Sequence, residues 1–432
     1  MKKKLEKLYT HPQYEKIIQW GKLISITGSS QLIIQALGFI SGILVIRLLP
    51  TSEYALYTLA NTMLGTMTLL TDGGINTGVM VQGGKVWQDR ERLGVVMNTG
   101  MDLRRKFAVG SLIVAVPVLF FLLRHHNASM LMSGLIVLSL IPAFFAALSG
   151  SLLEIAPKLR QDIVSLQKNQ IVSNIFRLIM LSGTIFIFPF SYLAIFSAGL
   201  PQMWYNWRLR KISKAYADLT QKPDSAIRKE ILIVVKRVLP GAIYYCIYGQ
   251  ITIWLISFFG TTEAIAQIGA LSRLTILLSL FTTIFTVLIV PRFARLDESS
   301  KYILLHFYKI QVGLLVLSAC IVFFVMIFPA QILSVLGKSY SGLNTEIILI
   351  TISSCLSLCA GITNSISLSR GWVISPMVSI GISILTQVML LFILDLSETK
   401  NVLIFSIINY LIAYLMLLIY FIGKSTSKKY NI

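Results

Sequence analysis

The sequence predicts an all-α integral membrane protein of about 12 transmembrane helices. Three observations carry that reading. Of the 432 residues 55% are hydrophobic and only 13% charged, and the mean hydropathy is +0.76, whereas soluble domains carry about 25% charged residues. Apolar windows long enough to cross a bilayer, ~20 residues each, recur along the whole chain. Lysine and arginine also alternate between the connecting segments: 32 of 38 fall in every second one and four in those between. That alternation is the positive-inside pattern, which puts both termini in the cytoplasm. It also explains the net charge of +20 as an orientation signal, with no nucleic-acid partner implied.

In chain order, residues 1–23 form a basic cytoplasmic segment with no small-residue cleavage site after the first apolar run, so the first span reads as a signal anchor. The first six windows are 24–46, 54–74, 107–123, 130–153, 171–188 and 190–207. Between the first two lies a tight Pro50–Ser52 turn flanked by Arg47 and Glu53, which makes them antiparallel neighbours. The second window closes on Asp72-Gly73-Gly74. A polar, basic stretch, 208–238, then reads as a cytoplasmic linker between an N-terminal lobe, 24–207, and a C-terminal lobe, 239–423. The second six windows are 239–259, 264–290, 310–329, 345–368, 373–394 and 401–422, followed by a cytoplasmic tail, 424–432. Shifting the chain by 210 residues places Gly260–Glu263 on Pro50–Glu53 and Ala270 on Ala60, a thin trace of a parallel repeat. Pro117, Pro142, Pro189 and Pro240 fall within or at the ends of spans, where they kink or interrupt helices.

Several chemistries find no support. Gly423-Lys424-Ser425 resembles the end of a nucleotide-binding loop, but Leu418 stands where its first glycine belongs. The four histidines lack metal-ligand spacing, and His125-His126 reads as a solvated cap on an outer turn. Cys246, Cys320, Cys355 and Cys359 all lie in apolar windows and read as small buried hydrophobes. No catalytic residues, cofactor or metal are expected, and the chain reads as no enzyme.

Ionisable groups within spans are costly unless they face a partner or a cavity. Arg273 lies nine residues into its window, roughly 14 Å deep at ~1.5 Å per residue, and is the leading candidate for a ligand contact. Arg177 is nearer the inner end of its window, within snorkelling reach. Arg47 can bridge to Glu53 or reach a ligand or headgroup. Asp72 and Glu154 lie at inner span ends, where either could pair with Arg177 or serve in ion coupling or gating. Gln31 and Gln35, one turn apart, and Asn61 are polar enough to line a hydrated cavity or to bond neighbouring helices. Gly38 and Gly42 make a small-residue face for close helix approach.

Ile46-Arg47-Leu48-Leu49-Pro50, then Glu53-Tyr54-Ala55-Leu56-Tyr57 and Leu69–Ile75, resemble the N-terminal pattern of polysaccharide repeat-unit flippases. These are the O-antigen (Wzx-type) translocases of the multidrug, oligosaccharidyl-lipid and polysaccharide exporter superfamily. Gly260–Ala270 and Val290–Leu296 resemble the matching hairpin and loop of the second half, although Ala55 and Ala264 depart from the pattern. The resemblance implies two six-helix lobes around a central cavity in the bacterial cytoplasmic (inner) membrane. It further implies transport of a polyprenyl-diphosphate-linked oligosaccharide to the periplasmic leaflet, coupled to a proton or sodium gradient. Implied partners are membrane lipid, a polysaccharide polymerase and a chain-length regulator. The residues fit such a substrate, because a buried diphosphate demands cations and arginine suits it geometrically. The alternative is a multidrug or cation antiporter of the same superfamily, which would call for a carboxylate near the midplane. A peptidoglycan-precursor flippase would bring fourteen spans, two too many.

Overall fold

The computed structural model describes residues 12–290, 293, 300–370, 372 and 374–426, with side chains described from residue 28 onward except at 245, 247, 283, 284, 286–288 and 301. The start of the basic N-terminal segment, most of the Val290–Leu296 stretch and the end of the tail lie outside the described residues. Among those described there is no strand. The helices are α1 (Pro12–Leu48), α2 (Thr51–Asp72), α3 (Ile75–Lys85), α4 (Arg90–His125), α5 (Met130–Leu153), α6 (Ile155–Leu159), α7 (Ile163–Ile187) and α8 (Ser191–Lys214). They continue as α9 (Ser225–Phe259), α10 (Thr262–Thr275), α11 (Leu278–Leu288), α12 (Ser300–Ile327), α13 (Pro329–Ser334), α14 (Asn344–Ser369), α15 (Pro376–Ile393) and α16 (Thr399–Thr426).

Each apolar window coincides with a helix, or in one case with the consecutive pair α10–α11. Among the described residues nine helices are long and apolar enough to cross a membrane, and the two parts of α9 together make a tenth. The two long helices outside that set are polar for their length. α2 carries eight Thr, Asn, Glu or Asp residues within Glu53–Asp72, and α8 ends on Arg208, Arg210, Lys211 and Lys214. Helices outrun several windows because their polar ends keep helical geometry beyond the apolar stretch: α4 begins at Arg90, well before residue 107. Pro117, Pro142 and Pro240 lie inside α4, α5 and α9, while Pro189 falls in the break before α8. Large apolar side chains stand outward, including Ile113, Phe323 and Phe392 at 69%, 65% and 87% exposure. Hydrocarbon is the solvent that suits such a surface.

The chain forms two compact units. The first holds 1–41, 63–124 and 129–246; the second holds 42–62, 125–128 and 247–432. Thus 42–62, assigned by sequence position to the N-terminal lobe, packs with the C-terminal helices. In the first unit α5 and α7 both pack on α8. A core of Ile75, Val79, Leu93, Leu152, Leu209, Ile231 and Val235 gathers at its basic end. Gly73 and Gly74 make the turn between α2 and α3 with φ of +46° and +95°, a left-handed region that favours glycine. A Cβ on Gly74 would lie 2.8 Å from that of Val238.

The 208–238 stretch is more ordered than a polar linker suggests. α8 runs through its first part and α9 starts at Ser225, leaving 215–224 as the loop. That loop is fastened to α4. Asp218 N–H donates to the Arg90 carbonyl (2.9 Å), Asn98 Nδ2 donates to the carbonyls of Leu219 (3.0 Å) and Gln221 (2.6 Å), and Asp224 N–H donates to Thr99 Oγ1 (2.9 Å). Arg228, just beyond, reaches Asp102 at 2.7 Å.

In the second unit α14 packs on α16, α12 and α11, and α15 packs on α16. Its core centres on Phe421, stacked on Phe307 with centroids 3.7 Å apart and tilted against Trp372 at 4.9 Å.

Candidate functional site

The two hairpins that the sequence singles out meet within the second unit. Thr261 caps α10, its side chain accepting from Ala264 N–H at 3.2 Å, as N-cap threonines do. Gly269 of α10 faces Thr58 of α2 so closely that a Cβ there would lie 2.6 Å from Thr58 Oγ1. Arg273 follows one turn later. Its aliphatic stem passes the missing side chain of Gly42 on α1, where a Cβ would lie 3.3 Å from Arg273 Cδ. Its polar neighbours are the hydroxyls of Tyr54 and Tyr57, both buried and stacked with centroids 6.2 Å apart. Among the described residues Arg273 forms no ion pair. Gly42 therefore gives room to a cation, beyond the helix-contact role read from its spacing.

Arg273 sits in the last turn of α10, where the negative end of the helix dipole favours a cation. The span is interrupted at 276–277, with Leu277 N–H bonding the Leu274 carbonyl and Ser279 N–H that of Ile276. Ser272, Thr275 and Ser279 bond backbone carbonyls around the break. The same three residues line a cavity of about 520 Å³, faced by Ser353, Ser357 and Tyr410. None of the described residues lining it is charged.

Most of the other charged candidates have local partners. Arg47 does not bridge to Glu53: its Nε and Nη2 donate to the carbonyls of Val335 (2.8 Å) and Ser334 (2.7 Å) at the end of α13. Carbonyls at a helix end are natural acceptors for an arginine, since they have no partner within the helix. Asp72 and Glu154 do not pair with Arg177. Asp72 bonds Arg104, a buried arginine that also donates to the Leu148 carbonyl (2.5 Å) and Ser151 Oγ (2.6 Å). Glu154 accepts from Lys158 at 2.6 Å and from the Tyr205 hydroxyl at 2.7 Å. Arg177 lies fourteen residues into α7 and half-buried, its Nε with no hydrogen-bond partner among the described residues. Gln31 and Gln35, both half-buried, belong to the first unit, whereas Asn61 of the second donates to the Tyr57 carbonyl of its own helix at 3.2 Å.

The histidine pair divides. His125 is exposed, but His126 is buried against the Ser257 carbonyl (2.9 Å) and Thr262 Oγ1 (3.1 Å), so it ties α9 to α10 and is no solvated cap. Cys246, Cys355 and Cys359 are buried, while Cys320 is exposed on α12. Sequence reasoning passed over Tyr54 and Tyr57, which read as part of a family pattern, and over Arg104, which read as one more inner-loop charge. The signal for Arg104 was its place before an apolar window, where helix α4 was already running.

No family model matches the chain, and no curated protein matches it in sequence. Solved structures do match its fold. One is the inward-facing conformation of a multidrug resistance MATE family transporter of the MOP superfamily, with TM-score 0.64, 15% identity, 91% of this chain and 96% of that chain covered. The outward-facing conformation of a multidrug resistance MATE family transporter of the MOP superfamily matches with TM-score 0.61 at 14% identity, over 94% and 96%. A MOP superfamily transporter from Pyrococcus furiosus, described as having a binding pocket of reverse polarity that suggests a different function, matches with TM-score 0.61 at 14% identity, over 94% and 97%. The chain is an all-α protein with the fold of the MATE transporters, about a dozen membrane-length helices in two lobes.

Proposed function

We propose that the chain is a flippase that moves polyprenyl-diphosphate-linked oligosaccharide repeat units from the cytoplasmic to the periplasmic leaflet of the inner membrane. It works by alternating access, coupled to a proton or sodium gradient, with both termini cytoplasmic. The product serves O-antigen or related surface polysaccharide synthesis, with a polymerase and a chain-length regulator as downstream partners. The observation that carries this reading is Arg273: a cation at membrane depth, among tyrosine hydroxyls, with no ion pair among the described residues. A polyanionic diphosphate takes such a group, since arginine offers a fork of donors to phosphate oxygens. The uncharged, hydroxyl-lined cavity beside the α10–α11 break suits sugar hydroxyls. The two intramembrane-edge carboxylates, Asp72 and Glu154, are already engaged by Arg104 and by Lys158 with Tyr205, which disfavours a cationic drug as ligand.

The multidrug or cation antiporter is the second reading, favoured by the multidrug transporter among the structures of like fold. The Pyrococcus furiosus transporter, whose pocket of reverse polarity is described as suggesting a different function, is precedent for more than one function on this fold. In the native host, Arg273→Ala is expected to abolish surface polysaccharide with normal protein level in the membrane, and Arg273→Lys to retain part of it. Wild-type polysaccharide in the Arg273→Ala strain would remove that residue from the site. Normal polysaccharide together with raised sensitivity to cationic drugs in a strain lacking the chain would establish the second reading instead.

A further inference from the structure

We propose that a groove at the basic end of the first unit binds the phosphate headgroup of an anionic phospholipid. The groove, about 640 Å³, is walled by α4, α5, α8 and the loop residues 219–223, all within that unit. Its chemistry is graded along α8, where Met203, Trp207 and Arg210 line it at helical spacing, i, i+4 and i+7, so that the apolar turns lead back into the apolar window and the arginine stands at the basic end. On α4, Met101 and Arg105 line it one turn apart, with Arg105 at the edge of the apolar stretch that begins at residue 107, and Phe145 of α5 also lines it.

Arg105 and Arg210 are both exposed, and neither has a hydrogen bond or ion pair among the described residues. The carboxylate in the lining, Asp102, is neutralised twice over, by Arg228 at 2.7 Å and Lys106 at 3.0 Å. The surroundings therefore carry the cations Arg105, Arg210, Arg228 and Lys106 against Asp102 and the Asp218 carboxylate, which accepts from Thr220 and Gln221 of the loop wall. Lys211 adds a further cation beside the groove, its Nζ lying 3.6 Å from the centroid of the Trp207 ring. Tryptophan and basic residues are the side chains that favour the headgroup level, and arginine pairs recognise phosphate in a forked geometry. Phe145, Met203 and Trp207 remain 38%, 49% and 56% exposed, so the apolar side of the groove is open for acyl chains. A soluble anion would leave that wall uncovered; a phospholipid covers it. Since 219–223 forms one wall, a bound headgroup also braces the loop that leads into α9.

The proposal rests on the chain lying in a bilayer and is independent of what it transports. The test is native mass spectrometry of the purified full chain, delipidated and titrated with phosphatidylglycerol, phosphatidylcholine or inorganic phosphate. The wild type is expected to retain phosphatidylglycerol roughly thirtyfold better than phosphatidylcholine, about fivefold for each arginine. Arg105→Gln/Arg210→Gln is expected to bring the two lipids level, whereas Arg92→Gln/Lys229→Gln, an equal charge change elsewhere on the unit, keeps the preference. Arg105→Lys/Arg210→Lys retains charge without the fork and is expected to fall between. Melting temperature in lipid-free detergent checks that the variants fold. Equal retention of the two lipids by the wild type, an unchanged preference in the double glutamine variant, or displacement of phosphatidylglycerol by millimolar phosphate would each overturn the assignment.

Discussion

The ion pair between Asp72 and Arg104 offers a test in which the two halves of one interaction should respond unequally. Its partners differ in hydration: the Asp72 side chain is 28% exposed and that of Arg104 only 2%. Asp72→Asn leaves a buried guanidinium with the Leu148 carbonyl and Ser151 hydroxyl but no counter-charge. Removing one partner of a buried pair costs about 3–5 kcal/mol, so about 4 kcal/mol is expected. Arg104→Met leaves a carboxylate that water reaches and that still accepts from Asn76 N–H at 3.2 Å. The Leu148 carbonyl keeps the Ser151 hydroxyl as a donor. The loss is then essentially one charge-assisted bond, about 2 kcal/mol. The double variant lacks both charges and should lose about 3 kcal/mol, well short of the roughly 6 kcal/mol sum, as expected for directly coupled residues. At about 3 °C per kcal/mol for a unit of this size, Asp72→Asn lowers the melting temperature by roughly 12 °C and Arg104→Met by roughly 6 °C. A thermal ramp read by fluorescence-detected size exclusion in detergent measures both. Arg104→Met proving as damaging as Asp72→Asn, or additivity in the double variant, would refute the reasoning.

Three further outcomes follow from local geometry. Gly74→Ala is expected to lower stability by about 1–3 kcal/mol through its positive φ, with a further loss from the 2.8 Å approach to Val238 Cβ. Adding Val238→Ala removes the two Cγ atoms at 3.0 and 3.4 Å but leaves the Cβ at 2.8 Å, so it should recover little of the loss, and full recovery in the same thermal ramp would show that neither φ nor that approach matters. Arg47→Ala removes two hydrogen bonds to the carbonyls of Ser334 and Val335, for a loss of about 1–2 kcal/mol. Arg47→Lys should restore roughly half of it, because an ammonium lacks the fork; no change with alanine would show those bonds to be idle. The Asp218 carboxyl is held below the usual carboxylate range by hydrogen bonds from Thr220 and then Gln221. Its folded pKa is depressed, so its support of the 215–224 loop is complete above the unfolded value of about 4 and fades as pH falls through the folded one. Hydrogen exchange of that loop should stay constant from neutral pH down to about 5 and quicken below about 4, once corrected for intrinsic rates. Asp218→Asn should remove that pH dependence, and its persistence in the variant would assign it to another group.

Much of this architecture is legible in the amino-acid order, because a bilayer leaves the backbone few choices. A segment crossing hydrocarbon must satisfy its own N–H and C=O groups, so an apolar window of sufficient length is a helix almost by necessity. That is why the windows at 130–153 and 345–368 match α5 and α14 nearly residue for residue. The place of Arg273 along its helix was legible for the same reason, since it follows from counting. Windows whose ends are polar were read short, as with α4, α7 and α9, because hydropathy marks where apolar residues stop and not where the helix does.

The sequence by itself thus determined the run of long helices, their order and where along each of them a charge lies. Only the tertiary structure decided which charges meet. Asp72 finds Arg104 rather than Arg177. Arg273 finds Tyr54 and Tyr57 across more than two hundred residues. The stretch that looked like a free linker is fastened to α4 at Arg90, Asn98 and Thr99. The physical reason is rotational. Hydropathy averaged over a window sets a helix's place along the membrane normal. The angle at which it turns about its own axis, and hence the neighbour each polar side chain faces, is set by packing against other helices.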